Sequence, residues 1–69
     1  MPNYIINNNK DSNGYNEVHT TACEHLPLKQ NQVPLGWHVN SREAIAHAKR
    51  IGWKDADGCY YCCNDTHRD

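Results

Sequence analysis

Apolar residues come in short groups separated by polar stretches, and the spacing within each group predicts the elements. Tyr4-Ile5-Ile6-Asn7 is aromatic and β-branched, which predicts a strand. Tyr15-Asn16-Glu17-Val18-His19 alternates and predicts a second. The seven residues between them, Asn8-Asn9-Lys10-Asp11-Ser12-Asn13-Gly14, are turn chemistry throughout: Asn-Gly tolerates positive φ, and Asn, Asp and Ser side chains mimic backbone turns. A hairpin with more than a two-residue loop is expected. Residues 24–34 carry Pro27, Pro34 and several amides, so an irregular crossing follows, because each proline lacks a donor and restricts its predecessor. Leu35-Gly36-Trp37-His38-Val39 then predicts a third strand, with Leu35, Trp37 and Val39 on one face.

The period changes after Val39. Ala44, Ile45, Ala48 and Ile51 recur at helical spacing, and Arg42, Glu43, His47, Lys49 and Arg50 fall mostly on other faces, so a helix is predicted over 41–51. Asn40 is a good N-cap, with Glu43 at the capping-box position, and Gly52 supplies the stop. The tail 64–69 is polar and expected to fray unless His67 is held. The expected fold is α+β: one domain, 1–69, with an N-terminal hairpin, a third strand, one helix and a cysteine-rich C-terminal knuckle.

Composition adds a constraint. At 69 residues and 38% hydrophobic, without Phe, the chain has few large apolar side chains, and domains this small need a staple. Seven Lys and Arg stand against eight Asp and Glu, a formal net charge of -1. That field does not attract a polyanion, and Glu43, Asp55 and Asp57 dilute the local basic residues Arg42, Lys49 and Arg50. No stretch approaches the ~18 apolar residues of a membrane span, and the N-terminus lacks the basic-then-apolar layout of a signal peptide. A cytoplasmic, reducing setting and a monomer are expected, with the cysteines serving a metal more readily than disulfides.

Two half-sites carry the chemistry. His19-Thr20-Thr21-Ala22-Cys23 and Cys59-Tyr60-Tyr61-Cys62 offer one His and three Cys, a donor set suited to tetrahedral zinc. His19, Cys23, Cys59 and Cys62 are the expected ligands. Gly58 permits the tight path into the knuckle, where amides turn toward the sulfurs. Cys63 in place of Cys62, or His67, are alternative ligands, and two disulfides among Cys23, Cys59, Cys62 and Cys63 are a further reading. His25, two residues after Cys23, is a candidate second-sphere donor, whereas His38 and His47 read as surface or packing residues.

The run Val18 to Cys62, read as V-H-x₃-C, then L-G-W-H-V-N-S-R-E-A-I-A-H-A, then G-C-x₂-C, resembles the small zinc modules related to the N-terminal metal domain of the Ada methylphosphotriester-repair protein. The resemblance implies a ligand pair, a strand, a capped helix and a terminal C-x₂-C on one structural zinc. His19 stands where the Ada domain has cysteine, so its four-cysteine set is not reproduced.

A Cys/His pair is raw material for nucleophilic catalysis, but so short a chain cannot wall a pocket with an oxyanion site, and no enzyme is expected. The expected function is a zinc-stabilised binding or adaptor module contacting a protein or an unpaired base through Tyr60, Tyr61, Trp37 or Trp53. The alternatives are a metal-thiolate or redox-sensing protein using Cys63, and an Ada-like nucleic-acid-binding module.

Overall fold

Tyr4, Ile5 and Ile6 are all buried, which is what a strand flanked and covered on both sides requires. In the computed structural model, which describes residues 3–66, they form β1 (Asn3–Asn7). β1 lies inside a four-stranded sheet of order β3-β1-β2-β4. β2 (Asn16–Thr20) pairs antiparallel with it, Ile5 opposite His19 and Ile6 opposite Val18. Opposed residues share a face, so Ile6 and Val18 turn toward the main core while Ile5 and His19 occupy the other side. The hairpin loop is organised by Asp11, whose carboxylate accepts from the amides of Asn13 (2.9 Å) and Tyr15 (3.0 Å).

The third strand starts earlier than expected. Residues Lys29–Asn31 form a 3₁₀ turn, and β3 (Gln32–Trp37) then runs antiparallel to β1, with Pro34 inside it. β3 is an edge strand, where a missing proline donor is tolerated. Leu35 is the extra residue of a bulge: Tyr4 pairs with Gly36 and Ile5 with Pro34. The bulge needs the left-handed backbone that Gly36 adopts (φ 83°). It breaks the expected alternation, so Leu35 is buried while Trp37, placed on the same face by the sequence pattern, is 51% exposed; Val39, expected on that face too, lies beyond the end of β3 and is 61% exposed.

The helix α1 (Ser41–Arg50) packs Ala44, Ile45 and Ala48 onto the sheet. The Glu43 amide donates to Asn40 Oδ1 (2.9 Å), confirming the cap. Its far end is a Schellman motif: Gly52 (φ 111°) donates to the Lys49 carbonyl and Trp53 to the Ala48 carbonyl. Ile51 therefore sits in the cap, outside the helix and its buried stripe, and is 56% exposed.

The sheet has a fourth strand beyond the three that the sequence pattern predicts. β4 (Ala56–Gly58) runs parallel to β2 with Glu17 opposite Asp57 and Val18 opposite Gly58. Three residues in a polar, glycine-containing stretch carry no strand signature, and the pairing exists because α1 and its cap return the chain beside β2. Residues Asn64–Thr66 form a 3₁₀ turn instead of fraying. The Thr66 hydroxyl donates to the Cys63 carbonyl (2.9 Å) and meets Ser41 Oγ at 3.1 Å, tying this turn to α1. Among the described residues no helix is long and apolar enough to cross a membrane.

Candidate metal centre

His19 is the penultimate residue of β2, and the chain leaves that strand through a turn in which the Cys23 amide donates to the Thr20 carbonyl (3.1 Å). This folds Cys23 back toward His19. Cys59 arrives from the other direction: its amide donates to the Val18 carbonyl (3.0 Å), extending the parallel ladder by one residue beside β2. The Cys63 amide donates to the Cys59 carbonyl (2.9 Å), closing the turn that carries Cys62 inward.

The result is a cluster in which one ligand atom each from His19, Cys23, Cys59 and Cys62 lies within 4.8 Å of the others. Cys23 Sγ and Cys59 Sγ are 3.9 Å apart. Two sulfurs bound tetrahedrally at ~2.3 Å from one zinc ion would stand about 3.8 Å apart, whereas a disulfide needs ~2.05 Å. All four cysteines are free thiols, so the disulfide reading is not the arrangement seen.

A further observation favours an ion. His19 is 2% exposed, and its Nδ1 is a buried polar atom with no hydrogen-bond partner among the described residues, which costs free energy unless something else satisfies it. Its Nε2 lies 3.7 Å from Glu17 Oε1, on the same side of β2 two residues earlier. A carboxylate beside the outer nitrogen is how metal-binding imidazoles are commonly oriented, leaving the other nitrogen for the ion. The Thr20 amide donates to Cys62 Sγ and the His25 amide to Cys23 Sγ, both at 3.4 Å, as amides do toward thiolate sulfurs. These residues lie close enough together to hold a metal ion.

Electrostatics agree with a neutral imidazole. Burial, and to a smaller degree the charge of His25, holds His19 below the ordinary histidine range. Burial also pushes the Cys23 thiol up, although the His25 amide opposes it. A bound cation reverses that balance by taking the sulfur as thiolate.

The neighbouring candidates separate clearly. Cys63 is 1% exposed, belongs to the apolar core and lies outside the four-residue cluster, though its Sγ is 3.7 Å from that of Cys62. Burial, followed by the nearby Cys62, pushes its thiol far up. His67 lies outside the described residues. His25 meets the centre through its backbone amide, while its ring stacks on Tyr61, centroids 3.8 Å apart. His38 and His47 pack together, Nε2 to Nδ1 at 3.0 Å, with the Leu35 carbonyl 3.2 Å from the same Nε2. Glu17 was not singled out from the sequence, although a carboxylate two residues from a strand histidine is legible as a same-face neighbour.

Gly58 has a different role from the one expected. A Cβ there would meet the Thr66 hydroxyl oxygen, and would stand 2.6 Å from the Cys63 carbonyl, so it is close packing that demands glycine. Comparisons with protein-family models, with curated proteins and with solved structures find no match to this chain.

Proposed function

We propose that this chain is a structural-zinc domain acting as a binding or adaptor module, with His19, Cys23, Cys59 and Cys62 as ligands. The observation that carries the reading is the convergence of those four ligand atoms within 4.8 Å around an unpartnered, buried imidazole nitrogen. Three thiolates and an imidazole suit Zn²⁺, and four protein ligands leave no open position for hydrolysis. The ion would supply cohesion where the chain has little apolar mass. A reducing compartment suits the free thiols.

The contact surface in this reading is the knuckle, where Tyr60 and Tyr61 are 56% and 66% exposed. A protein partner is favoured over nucleic acid by charge: zinc adds two positive charges while three thiols lose protons, taking the formal net charge of -1 to about -2. The same balance, with His19 in a position that is cysteine in Ada, gives the resemblance more weight for fold and metal than for DNA repair. The redox reading through Cys63 is weakened by the burial of that thiol.

Elemental analysis of purified protein, with thiol titration before and after chelation, tests the proposal. One zinc per chain and thiols that react only after chelation are expected. Cys63→Ala, which leaves the four ligands intact, retains the metal. A zinc-free chain that is nevertheless cooperatively folded sinks the reading.

A further inference from the structure

The metal centre is not sealed on all sides. Cys59 is buried, but Cys23 and Cys62 are only partly so, and both line a cavity of about 290 Å³ together with Glu24, His25 and Tyr61. Its aromatic wall is preassembled: the His25 and Tyr61 rings stack with 21° between their planes, and Tyr60 meets Tyr61 edge-on, centroids 5.2 Å apart. Stacking occupies one face of each ring, and both residues are nevertheless exposed.

The carboxylate in this lining is Glu24. Glu24 is exposed and makes no ion pair among the described residues. Three thiolates and one zinc ion leave a further net charge of about -1 beside it. The sulfurs have lone pairs beyond the two amide bonds they accept. A phosphate would be repelled here. An ammonium would satisfy the charge and could sit over a ring, but it offers no plane to stack on the flat aromatic wall. A guanidinium satisfies both, being planar, cationic and furnished with five donors.

We infer that this cavity is a docking site for an arginine side chain presented by a partner protein. The guanidinium lies on the outer face of the Tyr61–His25 stack and donates to the Glu24 carboxylate and to the exposed side of the Cys23 or Cys62 sulfur. The inference rests on the zinc-module reading above and names the chemistry of its partner.

The test is an NMR titration of zinc-loaded, ¹⁵N-labelled protein with a blocked Gly-Arg-Gly tripeptide, zinc content being checked by native mass spectrometry. Shifts confined to the amides of 22–25 and 60–62 are expected. The Lys and citrulline analogues should bind about tenfold more weakly, because one lacks the plane and the other the charge. Tyr61→Leu and Glu24→Gln should each weaken the arginine peptide severalfold with one zinc per chain retained, and Tyr61→Phe should preserve binding. Equal response to the lysine peptide, or an equal response of the same amides to adenosine monophosphate, overturns the inference. Zinc held without any response to the arginine peptide overturns it alone; failure to hold zinc sinks both readings.

Discussion

Around β1 the molecule is held by hydrocarbon: Tyr4, Ile6, Val18 and Leu35 on the sheet meet Ala44, Ile45 and Ala48 on α1. Residues 56–66 reach a similar depth of burial at the edge of the same cluster, with small groups and sulfur in place of large hydrocarbon side chains. There the buried groups are Ala56, Asp57, Gly58, Cys59 and Cys63, fastened by the parallel ladder to β2 and by the Thr66 hydroxyl. Hydrocarbon burial is non-directional and insensitive to protonation. Sulfur, imidazole and close backbone contact depend on geometry, on proton occupancy and, in our reading, on an ion. The two regions should therefore respond unequally to the same insult.

The most severe test is Cys59→Ser, which removes the buried central sulfur. We expect loss of the metal in native mass spectra, with amide-exchange protection lost across 59–66 and 19–23 before it is lost in the β1–β3 ladder. Simultaneous loss everywhere would erase the contrast and make the two regions one cooperative unit. Next is Gly58→Ala. Its Cβ would press on the Cys63 backbone carbonyl as well as the Thr66 side chain, and overpacking of this kind costs about 1–3 kcal/mol, read as a lowered denaturant midpoint. A neutral result would mean that the 63–66 turn is loosely attached.

Acid supplies a graded test. Burial depresses the folded pKa of His19 below the ordinary histidine value of 6.5, so the unfolded chain takes up the proton more readily. This contribution to stability is fully present above pH 6.5 and is lost as the pH falls from there through the depressed folded value, by at most about 1.4 kcal/mol per pH unit. Bound metal adds to this loss near the centre, because its thiolate ligands also compete for protons, so chelation should flatten the pH dependence there and leave the hydrocarbon region unchanged, as residue-resolved hydrogen exchange would show. The smallest effect belongs to the other region: Asn40→Ala removes the cap of α1 and should cost about 1 kcal/mol in thermal unfolding while leaving metal content unchanged. Loss of metal in that variant would mean that α1 holds the centre directly.

Legibility from sequence follows the same division. The capped helix, the hairpin and the two halves of the His/Cys cluster were readable because each has a local cause: Asn40 three residues before Glu43, Asp11 and Asn13-Gly14 in a turn, and Cys-x₂-Cys within one loop. The bulge at Leu35 was not, because a two-residue alternation through Leu35, Trp37 and Val39 looks the same with or without an unpaired residue. β4 was invisible because Ala56-Asp57-Gly58 has no strand propensity of its own. The burial of Cys63 was equally hidden, since nothing in Cys62-Cys63 says which sulfur faces the cluster and which the core.

Donor identities, their spacing within each half-site and the helical period were determined by the sequence alone, because they arise from interactions a few residues long. Only the tertiary structure decided that the two half-sites meet. That requires β4 to lie parallel to β2 so that Cys59 hydrogen-bonds beside Val18, a register set by α1 packing and by the close contact at Gly58. Long-range register of this kind is the joint outcome of packing across the whole sheet, and no short stretch of residues encodes it.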